Sequence, residues 1–205
     1  MTALQHAKHF CGLADASDDD ECHKYVTLYN DFYNIATYHG DWKMSPFLYA
    51  CYRRLPSTIT AMIRLGDIDI NISDTQQWNG LMFACVAEDT TLITALIRHG
   101  INVNAKNHLD RDALMMSCNV NNWHNAMILV NAGANYVDSI DTINEKDIYK
   151  NDPINKNKLI KYIRDDYRKI VVATMADDSK TNIFAASFKT TYVPQLANII
   201  AEFII

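Results

Sequence analysis

The feature that most constrains this chain is that it repeats itself. The segment "GLMFACVAEDTTLITALIRHGINVNAKN" (80–107) is followed by "ALMMSCNVNNWHNAMILVNAGANYVDSI" (113–140). Leu81 and Leu114 are 33 residues apart, as are Cys85 and Cys118, Gly100 and Gly133, and Asp74 and Asn107. Upstream, "PFLYACYRRLPSTITAMIRLGDIDINIS" (46–73) matches at a shift of 34, with one extra residue after Gly66. A unit this short cannot bury its apolar face alone, so neighbouring units must stack to share one core.

Each copy follows one grammar. A turn-rich segment leads into a short apolar helix, and a brief polar break such as Glu88-Asp89 follows. A second helix then carries apolar residues at helical spacing, Leu92, Ile93, Leu96 and Ile97 in the middle copy. Gly66, Gly100 and Gly133 close the second helices, where a left-handed cap is expected. An alternating stretch, "DIDIN", "INVN" or "ANYV", carries the chain to the next turn.

A 33-residue unit of turn plus two helices resembles the ankyrin repeat. "SPFLYA" (45–50), "NGLMFA" (79–84) and "DALMMS" (112–117) stand where that family has T-P-L-H-x-A, although its histidine is absent from all three copies. "GINVNA" (100–105) and "GANYVD" (133–138) stand at its G-A-D-V-N-A position. The resemblance implies an all-α ankyrin-repeat solenoid with helical N-terminal and C-terminal caps. It divides the chain into an N-terminal cap (1–40), three repeats (41–140) and a degenerate repeat with a C-terminal helical module (141–205). Cys51, Cys85 and Cys118 share one repeat position, which marks them as small apolar residues between stacked helices rather than nucleophiles.

Bulk properties narrow the function classes. Net charge is -5 over 205 residues, which offers no global attraction to nucleic acid or anionic membrane. "MTALQHAKHFCGLADAS" has no apolar core of signal-peptide length, and no run approaches the roughly 18–20 residues of a bilayer span. With five cysteines and no tight pairing, the expectation is a cytoplasmic protein of a reducing compartment, with no membrane partner. No glycine-rich phosphate loop or nucleophile elbow is present, and the histidines are scattered, so no enzyme and no cofactor is expected.

At the N-terminus, Ser17 with Asp20 reads as a capping box. Tyr25, Leu28, Tyr29, Phe32, Ile35 and Ala36 then read as one helical stripe. His6, His9, Cys11, Cys22 and His23 are zinc-binding residue types, but their spacing matches no standard tetrahedral pattern, so no metal is assigned. Toward the C-terminus, Asp152-Pro153 reads as a helix start. Leu159, Ile160, Ile163, Tyr167, Ile170 and Val171 form the apolar face of that helix. Its other face carries Lys156, Lys158, Lys161, Arg164, Arg168 and Lys169, either solvated or docking an acidic partner; nucleic acid calls for a broader basic footprint.

The tail "FKTTYVPQLANIIAEFII" (188–205) is loosely similar to the F-box-like (PRANC) ending of poxvirus ankyrin proteins, which recruits a cullin–RING ubiquitin ligase. Capping of the solenoid is the other reading of the same residues.

Ankyrin arrays bind partners through turn tips and the first-helix face. The family positions map onto Trp42, Met44, Gln76, Trp78, His108, Leu109 and Arg111 at the tips, and onto Tyr52, Arg53, Val86 and Asn119 on the helices. Turn tips are normally polar, yet two of these carry tryptophan, a residue that anchors interfaces. Trp42 and Trp78 therefore either meet a partner or fold back as local packing, whereas Trp123 falls on a core position. The expected function is a non-catalytic protein–protein binding module that sequesters, blocks or scaffolds a target protein through the concave face. Small ankyrin proteins with poor consensus and Asn- and Ile-rich composition look like those of viruses or intracellular bacteria, so the resemblance implies an effector acting on host proteins. The alternative is a substrate adaptor that recruits a cullin–RING ligase through residues 188–205.

Overall fold

Three side chains in equivalent places start three equivalent helices. Ser45, Asn79 and Asp112 accept the backbone N–H of Leu48, Met82 and Met115 at 3.3, 3.0 and 2.8 Å, satisfying a donor that has no partner within its helix. The computed structural model, which describes residues 1–39, 42–66, 68–136 and 153–176, divides into two compact units, Met1–Ala134 and Asn135–Ile205. In chain order the first contains α1 (Ala3–Asp15), α2 (Asp19–Leu28), an antiparallel hairpin of β1 (Thr37–His39) and β2 (Trp42–Met44), and α3 (Pro46–Arg53). There follow α4 (Pro56–Leu65), α5 (Gly80–Val86), α6 (Thr90–Arg98), α7 (Ala113–Asn119) and α8 (Trp123–Asn131). The described residues are thus mostly helical.

The helices pair by means of one tight turn used repeatedly. Arg54, Glu88 and Asn121 adopt left-handed backbone with φ of 59°, 58° and 58°. The next N–H in each turn, from Leu55, Asp89 and Asn122, returns to the carbonyl of Ala50, Ala84 and Ser117 at 3.1, 3.0 and 2.9 Å. Packing between pairs is equally regular. α1 lies on α3, α3 on α5 and α5 on α7, while in the other row α2 lies on α4 and α6 on α8. The facing positions are small: Ala50, Ala84, Ser117, Cys51, Cys85 and Cys118 are all fully buried. A Cβ added at Gly80 would stand 3.1 Å from the Cys51 sulfur, so the helices approach as closely as their side chains permit.

Two expectations for the N-terminal segment are corrected. First, it holds a pair of helices. Thr2 and Gln5 form a capping box at α1, and Ser17 is not a cap but the left-handed residue (φ 57°) joining α1 to α2. Asp18 caps α2 through the Glu21 N–H at 3.0 Å. The segment therefore copies the helix–turn–helix geometry of the repeats without copying their sequence. Second, α2 stops at Leu28, so the apolar stripe is not one helix. Phe32 instead turns back into the core, 5.6 Å from the Phe10 ring and 5.8 Å from that of Tyr25.

The glycine expectation holds in two copies. Gly100 and Gly133 have φ of 81° and 89°, but Gly66 has φ of -107° and needs no left-handed freedom. There the absence of a side chain makes room for the Tyr33 ring, which a Cβ would meet at 2.3 Å. Trp123 is buried, as its core position implies. His6, His23 and Cys11 each meet a partner that is not a metal-ligand type. His6 Nδ1 pairs with the Tyr25 hydroxyl at 2.7 Å, His23 Nδ1 lies 3.1 Å from the Ser57 carbonyl, and the Cys11 sulfur is 3.7 Å from the Thr37 hydroxyl. Among the described residues no three metal-ligating side chains converge.

In the second unit a helix spans Pro153–Ala176, starting at the expected proline. Leu159 and Ile163 are buried, and Lys158, Lys161, Arg164, Arg168 and Lys169 are exposed. Residues 188–205, to which the ligase-recruiting tail was assigned, lie outside the described residues. No helix among the described residues is long and apolar enough to cross a membrane.

Candidate functional site

The first three turns are built by two means, a hairpin in the first and a side-chain-fixed turn in the second and third. In the first, the hairpin pairs Thr37 with Met44 and His39 with Trp42. In the second, the Asp74 carboxylate accepts the N–H groups of Gln76 and Trp78, both at 2.8 Å, and the Asp74 N–H closes on the Trp78 carbonyl at 3.0 Å. In the third, Asn107 repeats the arrangement with Leu109 and Arg111, both at 3.0 Å. A short polar side chain that binds its own backbone two and four residues on is what fixes such a turn. The second and third tips are joined directly, because the His108 N–H donates to the Gln76 carbonyl at 3.1 Å and its Nδ1 lies 3.0 Å from the same oxygen.

Between these tips and the exposed flanks of α3 and α5 lies a concavity of about 400 Å³. It brings together Trp42, Tyr52, Gln76, Trp78, Val86, His108 and Leu109 of the residues singled out from sequence. Trp42, Gln76 and Leu109 occupy one repeat position and form the outer edge. Aromatic rings make the wall: Trp42 meets Tyr52 edge-on at 6.2 Å, Tyr52 meets Phe83 edge-on at 5.9 Å, and Trp78 lies 5.3 Å from Phe83. Trp42 and Tyr52 each keep 47% of their surface exposed, Val86 keeps 41% and Leu109 keeps 54%. Large apolar side chains left this open in one contiguous place form a patch of the kind that marks interaction sites.

Trp78 combines the two roles weighed for it. It directly precedes the α5 cap Asn79, and its contact with Phe83 is a hydrophobic staple across the helix start. The rest of its ring lines the concavity.

Four sequence-assigned residues lie elsewhere. Met44 also precedes a helix cap, but it is only 2% exposed and belongs to the core. Arg53 turns away, donating through Nε to the Ala14 carbonyl at 3.1 Å and through one terminal nitrogen to the Asp15 carbonyl at 2.6 Å and the Ser17 hydroxyl at 2.8 Å. It thereby neutralises the C-terminus of α1, which has no basic residue in its own last turn. Arg111 and Asn119, both half-buried, are not among its lining residues.

Ala87, which stands beside Val86 at a first-helix position of the family, also lines it, whereas Arg54, Asp74 and Phe83 line it without having been singled out. Phe83 stands within the run 81–85, which reads as continuous core. Arg54 follows Arg53 in a helix end whose left-handed turn no local signal announces. Asp74 serves the turn, since its carboxylate is committed to backbone N–H groups.

Among the described residues that line the concavity there is no cysteine or serine. The cysteines are buried behind it, and burial pushes the Cys85 thiol up to about 12. The chain matches no protein-family model and no curated protein.

Proposed function

We propose that this chain is an ankyrin-like solenoid that binds a target protein through the concave aromatic face, without catalysis. The observation that carries the reading is the pair of exposed rings of Trp42 and Tyr52, backed by the half-buried Trp78 and the buried Phe83, with Val86 and Leu109 exposed at the margin. Its support is physical. Aromatic side chains bury much area at little conformational cost, and such anchors dominate protein interfaces. The positions are those through which the resembling family binds partners. The helix-pair repetition, with its shared caps and left-handed turns, supports the ankyrin-like assignment. The proposal includes action within the cytoplasm, following the five unpaired thiols.

The test compares affinity capture by the wild type with capture by Trp42→Ala/Leu109→Ala. Both side chains are exposed, so thermal melting of the variant should match the wild type. A protein retained by the wild type and lost from the variant supports the reading, since truncating one true anchor costs roughly 2–4 kcal/mol of binding. Capture that the substitutions leave unchanged overturns it.

A further inference from the structure

The charges around the aromatic wall are unequal, and that inequality specifies a partner. Of the ionisable groups lining the concavity, Asp74 is 7% exposed and its carboxylate is occupied by the Gln76 and Trp78 N–H groups. The His108 ring is held to the Gln76 carbonyl. Arg54 is exposed, and among the described residues its guanidinium has no hydrogen-bond or ion-pair partner. Its neighbour Arg53 is fully engaged with the C-terminus of α1. Glu88, which holds the same left-handed turn position one repeat later, is absent from the lining and accepts from Asn122 Nδ2 at 3.2 Å.

Among its described lining residues the concavity thus presents apolar rings and one uncommitted positive charge, in a protein whose net charge is -5. Aromatic walls of this kind also attract cations such as quaternary ammonium groups. Here a cation would face Arg54, and the described lining residues offer no free carboxylate to offset it. The geometry points to a protein segment that inserts a large apolar side chain among Trp42, Tyr52, Trp78 and Phe83 and places an Asp or Glu beside it to meet Arg54. This rests on the groove-binding reading above and adds the partner's chemistry to it. The five donors of a guanidinium match a carboxylate in a two-point geometry, which also fixes the direction in which the segment lies.

Arg54→Glu is the decisive variant because it keeps the fold. Glu88 already occupies this backbone conformation in the next repeat, with φ of 58° against 59° for Arg54. Random short peptides displayed on phage are selected on the full-length wild type, on Arg54→Glu and on Trp42→Ala/Leu109→Ala. The wild type is expected to enrich an apolar residue next to Asp or Glu, and Arg54→Glu to enrich the same apolar residue next to Lys or Arg. A synthetic peptide from the first selection should lose about fivefold in affinity on Arg54→Glu, and its Asp- or Glu-to-Lys version should regain it. Peptides that depend on Trp42 and Leu109 but show no acidic preference, or that prefer cations, overturn this inference and leave groove binding standing. Selection that the Trp42→Ala/Leu109→Ala variant does not impair overturns both.

Discussion

The Asp19 carboxylate, at the start of α2, accepts the backbone N–H of Thr58 at 3.0 Å and that of Ser57 at 2.9 Å, in the first turn of α4. Helix α4 has no side-chain cap of its own, since Leu55 precedes it and Pro56 opens it. The preceding unit therefore caps it. The Thr58 hydroxyl completes the joint by donating to the Asp19 carbonyl at 3.2 Å. The last pair repeats the contact in neutral form, where the Thr90 hydroxyl donates to the Asn125 side-chain oxygen at 2.7 Å. Polar joints of this kind set the register of one unit on the next, which apolar stacking alone leaves soft.

Removing the Asp19 charge should destabilise the fold in a pH-dependent way. Burial alone would raise the carboxyl's pKa, but the hydrogen bonds from Thr58 and Ser57 outweigh it and hold it below its ordinary value. A group depressed in the folded state stabilises above its unfolded pKa, about 3.9, and that contribution disappears as pH falls through the folded value. Asp19→Asn is expected to lower stability by about 1 kcal/mol at neutral pH. Its Tm deficit should shrink in acid. A deficit that stays constant from about pH 7 to pH 3 would count against the carboxylate cap.

Two glycine substitutions should separate two physical causes. At Gly100 an added Cβ meets nothing within 4 Å, so Gly100→Ala bears only the strain of positive φ, about 1 kcal/mol. At Gly66 the Cβ strikes the Tyr33 ring, which is buried and pinned by its hydroxyl donating to the Val26 carbonyl at 2.6 Å. Gly66→Ala should cost about 2–3 kcal/mol by overpacking. Denaturant unfolding of both proteins decides the order. Equal losses would mean that Tyr33 yields freely.

Asn107 and Asp74 perform one task, yet the Asn107 side-chain nitrogen is buried with no hydrogen-bond partner. Asn107→Asp keeps both backbone bonds and removes the unmatched donor, as Asp74 already does one repeat earlier. The expected result is a gain of about 1 kcal/mol in unfolding free energy. A loss of that size would show that the donor has a partner such as water.

The cysteines should be silent in the folded protein. Burial pushes the thiols of Cys11 and Cys85 up to about 12 and that of Cys22 to about 11, and raises those of Cys51 and Cys118 as well. Only the thiolate reacts. Intact-mass measurement after iodoacetamide at mildly alkaline pH should find no adduct on the folded chain and five in denaturant. One thiol labelled as fast as a free peptide would place that cysteine at the surface.

The fold was legible wherever its signals are local. The 33-residue spacing, the cysteines at one repeat position and the helical spacing of apolar residues announce helix pairs, and the tip residues follow by repeat position. Seven of the residues named that way do gather around one concavity, because equivalent positions of a stacked array point in one direction. The N-terminal pair was misread because its turn residue is Ser17 and its Phe32 sits in the core from outside any helix, so neither obeys the repeat's spacing.

The sequence by itself determined the unit, its period and its apolar face, because caps, turns and helical spacing act over a few residues. Tertiary structure alone decided what each exposed position does. Arg53 binds α1 while Arg54 at the groove has no partner among the described residues, Met44 sinks into the core while Trp42 stays open, and Gly66 serves a ring instead of a turn. Each of those outcomes depends on atoms contributed from elsewhere in the chain. A side chain's partner across a stack is set by how closely the units approach, which no local pattern encodes.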